Sequence, residues 1–223
     1  MRDDIQAIAD QLISEWIDDG EVDLLNRLCV PLPIYVIADQ LGVPRSELTL
    51  LKKWSDASTS RLGRLADEEQ QIQNAKDIVE FQHYFADLID RMREHPEDNI
   101  ISDLANNTID EGRLLTKPEA LGMIQQILVA GNETSTNAIA GGVVLLIENP
   151  EEQVKLRANP VLIPTAVEEI LRLETPTSGM WRRATQDTEI DGVAIPEGSF
   201  LMVRFAAGNL SLIHISEPTR PRE

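Results

Sequence analysis

Apolar residues recur at spacings of three and four through Ile5, Ile8, Leu12 and Trp16, which predicts an amphipathic helix over residues 2–19 that Gly20 ends. Pro31-Leu32-Pro33 opens a second helix through 34–41, and Gly42 followed by Pro44 stops it. Ser46 stands where it could cap a third, reaching about Ser58. Residues 67–93 are long and periodic, with Ile72, Ala75, Val79, Phe85, Leu88, Ile89 and Met92 as the expected buried face. His95-Pro96 and residues 106–112 read as loops around a short helix near Ile100.

Thr116-Lys117-Pro118-Glu119 has the spacing of a capping box, in which hydroxyl and carboxylate satisfy backbone donors at a helix start. No breaker follows until Asn149-Pro150, so 117–148 can form one helix of roughly 48 Å at 1.5 Å per residue. Its interior glycines, Gly131 and the pair Gly141-Gly142, each cost roughly 1 kcal/mol of propensity against alanine, so something must approach the backbone closely. Helices at 151–158 and 164–174 follow. Beyond Pro176 the pattern shortens to β-type runs at 188–190, 193–195 and 200–205, with turn signals at Asp191-Gly192 and Glu197-Gly198. The class is mainly α with a small β-sheet portion.

Composition sharpens this. In 223 residues, 42% hydrophobic content supports a core, and aromatics at 4% favour helix over sheet. No run of 18 apolar residues and no signal-peptide pattern behind Met1 predict a cytoplasmic chain without membrane association. A formal charge of −18 argues against a nucleic-acid partner, whose phosphates would be repelled. A single cysteine, Cys29, excludes an internal disulfide and any multi-cysteine metal site. It reads as a buried hydrophobe, and His83 and His95 lack metal-ligand spacing.

Three patterns carry candidate chemistry. Ala130-Gly131-Asn132-Glu133-Thr134-Ser135 interrupts the long helix with small residues, an acid and a hydroxyl, as a helix needs if a flat ligand and a diatomic molecule lie against it. The alternative is close helix packing at Ala130 and Gly131, with Glu133 solvated and Thr134 bonded to the carbonyl four residues back. Glu169 and Arg172 form a carboxylate–guanidinium pair three apart on a helix, a common surface feature. Trp181-Arg182-Arg183 leads into a hairpin at 187–198.

In this order and separation the three patterns resemble the cytochrome P-450 family, the haem-thiolate monooxygenases, of soluble bacterial type. Residues 31–44 support the likeness, which covers 1–209. The resemblance implies a partial cytochrome P-450 domain over 1–209, lacking the family's N-terminal helices and its C-terminal cysteine-ligand loop. It also implies haem b as cofactor, with Thr134 hydrogen-bonding dioxygen and Glu133 delivering protons. Ala130 and Gly131 would lie against the haem, and Arg182, with Arg183 as substitute, would grip a propionate. Glu169 and Arg172 match a buried structural pair. Gln126, Val129, Ala130, Ser178 and Gly179 would approach the substrate. The implied partners are an apolar small molecule, O2, and a ferredoxin-type or similar protein passing electrons from NAD(P)H.

The pattern fails after Asn209, where the family continues toward its axial cysteine and this chain reads Leu210-Ser211-Leu212-Ile213-His214-Ile215-Ser216-Glu217-Pro218-Thr219-Arg220. That string is similar to the conceptual translation of a transposase-type sequencing adapter, so residues 210–223 are expected to be non-native. No axial cysteine is present for a metal. The expected function is that of a fragment: the intact parent is an oxidoreductase inserting one oxygen atom, and the chain as written is inactive, prone to a molten state or to aggregation. The alternative is a non-enzymatic helical binding or scaffolding protein that has lost its haem loop.

Overall fold

A computed structural model describes residues 1–63, 67–109 and 112–211, side chains at 61–63 excepted. It divides into two compact units, residues 1–136 and the residues from 137 onward. The elements are α1 (Arg2–Ser14), α2 (Pro31–Leu41), α3 (Leu48–Gly63), α4 (Glu68–Glu94), α5 (Ile100–Asn106), α6 (Lys117–Glu148), α7 (Pro150–Ala158) and α8 (Ile163–Leu173). Strands β1 (Met180–Arg183), β2 (Thr188–Ile190), β3 (Val193–Ile195) and β4 (Phe200–Val203) follow, then α9 (Phe205–Asn209). The fold is mainly helical with a small β portion, as the sequence predicts.

Local chemistry sets the boundaries. Gly42 ends α2 in the left-handed conformation at φ 67°, where a side chain would be strained. Asp67 caps α4 by accepting from the Gln70 amide at 2.8 Å, and Asn99 caps α5 by accepting from Ser102 at 2.9 Å. The predicted capping box starts α6: the Thr116 amide donates to Glu119 Oε2 at 2.8 Å, and Arg113 clamps the same carboxylate at 2.9 Å on both oxygens. The helix then runs unbroken to Glu148.

In the first unit α2, α3, α4, α5 and the front of α6 enclose one core around Leu41, Leu51, Trp54, Phe85, Ile124 and Leu128. Trp54 meets Phe81 and Phe85 edge-on, with ring centroids 5.9 and 5.8 Å apart. Two sequence expectations shift. The buried stripe of α4 is Asn74, Ile78, Phe81, Phe85, Leu88, Ile89 and Met92, while Ile72, Ala75 and Val79 are exposed. Asn74 turns inward because its amide donates to Ser60 Oγ on α3 at 2.9 Å, which sets the phase of the early turns. Helix α3 starts at Leu48 after a short 3₁₀ turn over 45–47, without a cap from Ser46, and extends past Ser58 to Gly63.

In the second unit α8 packs across the rear of α6. A Cβ on Gly141 would lie 2.9 Å from Glu174 Cβ, and one on Gly142 would lie 2.9 Å from Ile170 Cγ2, so the glycine pair is where this helix crosses. Strands β2 and β3 form a tight hairpin through Asp191 and Gly192, both at positive φ. Strand β1 pairs antiparallel with β4, Met180 opposite Val203 and Arg183 opposite Phe200. The sequence reading placed no strand at β1 and continued the last strand to Phe205. Periodicity is weak in four-residue strands, and residues 205–209 turn into α9 instead.

Candidate functional site

The front half of α6 has two opposed faces. Ala120, Ile124, Leu128, Asn132 and Thr136 are buried, four residues apart along one side. Gln126, Ala130, Glu133 and Asn137 are exposed on the other, in an i, i+4, i+7, i+11 series. Of the residues singled out from sequence, Gln126, Ala130 and Glu133 therefore share the open face. Val129 and Thr134 flank it half-buried. Gly131 lies away from that face, where an added Cβ would stand 3.2 Å from Ile37 Cδ1 on α2. Its lack of a side chain admits α2, and Ala130 is the small residue on the open side.

Thr134 donates its hydroxyl hydrogen to the Ala130 carbonyl at 2.5 Å. This back-bond leaves the hydroxyl oxygen as an acceptor, while a donor role toward a ligand requires the bond to open. Cys29, in the π-helical turn Leu25–Cys29, is buried, and burial pushes its thiol pKa up, so it is held as a neutral hydrophobe and is unsuited to act as a thiolate ligand. Among the described residues no three His, Cys, Asp or Glu side chains converge as metal ligands.

The remaining candidates lie in the second unit. Arg172 donates Nε to Glu169 Oε2 at 2.7 Å and Nη2 to Oε1 at 2.5 Å, a fork-to-fork pair that lowers the Glu169 carboxyl pKa and raises that of Arg172. The Glu169 side chain is 54% exposed and that of Arg172 30%, so here the pair stands at a surface. Arg172 also donates Nη1 to the Asn209 carbonyl at 2.9 Å. The Asn209 amide donates in turn to Thr175 Oγ1 at 2.8 Å, tying α9 to the end of α8. The sequence reading missed that clasp, since nothing in the spacing of 172, 175 and 209 announces it.

Gly179 must be glycine, because a Cβ there would lie 2.5 Å from the Val203 carbonyl oxygen across the β1–β4 pair. Ser178 accepts the Ala206 amide on its carbonyl at 3.2 Å. Arg183 lies over the Phe200 ring, 6.0 Å from its centroid. Arg182 is exposed, donates to the Trp181 carbonyl at 3.0 Å, and makes no ion pair among the described residues. Neither arginine makes an ion pair among the described residues.

Comparisons with known proteins address the family of the chain. The family model for cytochrome P450 matches residues 44–207. The chain is 34% identical over 223 residues to cytochrome P450 monooxygenase PikC of Streptomyces venezuelae, covering 99% of this chain and 52% of that protein. It is 36% identical over 208 residues to the putative cytochrome P450 YjiB of Bacillus subtilis, covering 92% and 52%. Among solved structures, the bacillaene polyketide synthase cytochrome P450 PksS of Bacillus subtilis superposes with a TM-score of 0.84 at 30% identity, over 93% of this chain and 52% of its own. P450BioI, solved with an acyl carrier protein ligated to hexadec-9Z-enoic acid, gives 0.82 at 32% identity, over 92% and 52%. The chain spans about half the length of the relatives it matches. No helix among the described residues is long and apolar enough to cross a membrane. By sequence, fold and the order of its motifs, the chain belongs to the cytochrome P450 family.

Proposed function

We propose that this chain is a fragment of a haem-thiolate monooxygenase, whose full-length form inserts one oxygen atom from O2 into an apolar small molecule. The observation that carries the reading is the open face of α6, which places Gln126, Ala130 and Glu133 side by side with Thr134 at its edge. Haem, if bound, would supply dioxygen activation. The residues present suit such a group in part. In the first unit Ala130 offers a face that a flat ring can approach; in the second Arg182, which makes no ion pair among the described residues, has the chemistry to hold a carboxylate through a charge-assisted bond. Cys29, buried in the first unit, does not supply the axial thiolate.

The chain's own residues then hold and move protons. Glu133, exposed on the open face, exchanges protons with solvent and presents them toward the ligand side. Thr134 relays one by rotating its hydroxyl away from the Ala130 carbonyl, donating that hydrogen toward the ligand side and accepting another from a neighbouring donor. Val129 and Gln126 border the substrate on α6. Electrons come from NAD(P)H through a ferredoxin-type or similar partner, and the protein works in the cytoplasm. Residues 210–223 are read as a non-native tail, of which 212–223 lie outside the described residues.

The carbon-monoxide difference spectrum of the reduced protein tests this. A full-length protein is expected to give the thiolate-haem band, and the 223-residue chain none. A thiolate band from the 223-residue chain would refute the reading that it has no axial ligand. A full-length protein with no haem at all would favour a scaffolding role.

A further inference from the structure

The face of α6 opposite Glu133 holds a polar group that packing alone does not explain. The buried stripe Ala120, Ile124, Leu128 continues into Asn132, which is 4% exposed and donates Nδ2 to Ser55 Oγ on α3 at 2.9 Å. Ser55 is itself 1% exposed. Seven residues earlier on α6, Gln125 donates Nε2 to Ser58 Oγ at 3.1 Å. The two rungs run from 125 to 132 on one helix and from 58 to 55 on the other, so they define the sliding register of an antiparallel pair. A displacement of α3 by one turn in one direction would bring Leu51 or Lys52 opposite Asn132; in the other it would bring Ser58 or Thr59 there and take Ser58 away from Gln125.

The second half of the amide decides what the residue is for. Asn132 Oδ1 is buried and has no hydrogen-bond partner among the described residues. A buried carbonyl oxygen left unpaired is destabilising, and leucine, which occupies the stripe one turn earlier, would carry no such cost. Buried polar groups that cost stability are best attested as register devices. Here the register lies one residue before Glu133 and two before Thr134.

We propose that Asn132 is a positioning residue. Through Ser55 it fixes where α3 lies along α6 and thereby holds the helical turn that presents Glu133 and Thr134. The inference rests on the reading of those two residues as proton-handling groups. It adds two side chains, Asn132 and Ser55, that touch neither cofactor nor substrate.

The test uses the full-length haem-loaded protein with Ser55→Ala, Asn132→Leu, the hydroxyl-retaining Ser55→Thr, and Ser58→Ala as the neighbouring-rung control. Two quantities are read: amide hydrogen exchange of residues 133–136, and product formed per NAD(P)H consumed. Ser55→Ala, a change on another helix, is expected to speed exchange at 133–136 about five- to tenfold and to lower coupling with KM little changed. Asn132→Leu should do the same even if it raises overall stability, and Ser55→Thr should restore both readouts. Unchanged exchange and coupling in both Ser55→Ala and Asn132→Leu would overturn the proposal. So would a loosening of all of α6 that Ser58→Ala reproduces. A protein that binds no haem would sink the functional reading, while the exchange measurement would still decide whether Asn132 pins the turn.

Discussion

The two units of this chain use similar proportions of apolar residues to different ends. In residues 1–136 the apolar faces of five helices, α2 to α5 and the front of α6, close on one another and bury Trp54, Phe81, Phe85, Leu51 and Ile89 almost completely. Beyond Thr136 the only buried position among the described residues is Gly142, which carries no side chain. Val154, Val161, Ile147, Val193 and Phe200 all stand in the open there. The first unit thus holds a core of its own. The second is organised by backbone pairing in its two small sheets, by helix crossing at Gly141 and Gly142, and by the Arg172–Asn209–Thr175 clasp. Hydrogen bonds and surface ion pairs give small net stabilisation each, whereas core burial is the dominant favourable term, so stability should be concentrated before residue 137.

The largest effects that can break this comparison are core truncations. Phe85→Ala empties a fully buried site and is expected to cost roughly 3–5 kcal/mol in urea denaturation of the 223-residue chain. Val161→Ala, at a position 82% exposed, should stay within about 0.5 kcal/mol. Comparable losses at the two sites would mean that the second unit is packed as tightly as the first. A step smaller is the start of α6. Thr116→Ala removes the hydroxyl of the capping box and should cost about 1 kcal/mol in the same measurement, with Thr116→Ser retaining most of it.

The capping box also shows what the sequence made legible. Thr116 and Glu119 announce a helix start by local spacing alone, and the helix begins there. The glycine stop at Gly42 and the hairpin at Asp191-Gly192 were readable for the same reason, because each depends on the conformational freedom of a few adjacent residues. What escaped depends on partners distant in the chain. The phase of α4 was misjudged at Ile72, Ala75 and Val79 because Asn74 is drawn inward by Ser60, fourteen residues away. At the site, the Glu133–Thr134 segment was found by its resemblance to a family motif. Asn132 between them and Gly131 went unremarked, since its partner Ser55 is 77 positions away. A sequence signal did exist, in that Ala120, Ile124 and Leu128 extrapolate at steps of four to 132. Strand β1 was missed because Trp181, Arg182 and Arg183 read as a charge patch when pairing with residues 200–203 is not known.

The smallest effect sharpens the comparison through acid titration. Each unit anchors a helix with an exposed arginine–carboxylate pair, Arg113–Glu119 at the start of α6 and Arg172–Glu169 within α8. The Arg113 guanidinium, followed by the Thr116 amide and hydroxyl, holds the Glu119 carboxyl down at about 2. Arg172 lowers that of Glu169 as well. A depressed carboxyl stabilises the fold above its unfolded value, about 4.3, and the contribution is lost as pH falls from there through the folded value. For Glu119 the window therefore runs from about pH 4 to about pH 2. Both pairs are open to solvent and screened by salt, so the contributions should be modest and should shrink at high ionic strength. The outcome should differ in kind. Because α6 feeds Ile124 and Leu128 into the core, Glu119→Gln is expected to flatten the acid limb of the global unfolding curve of the first unit. Glu169→Gln should alter only local exchange in α8, since no buried side chain depends on that helix. A Glu169→Gln variant that moved the global acid transition as far as Glu119→Gln would show that the two units unfold as one.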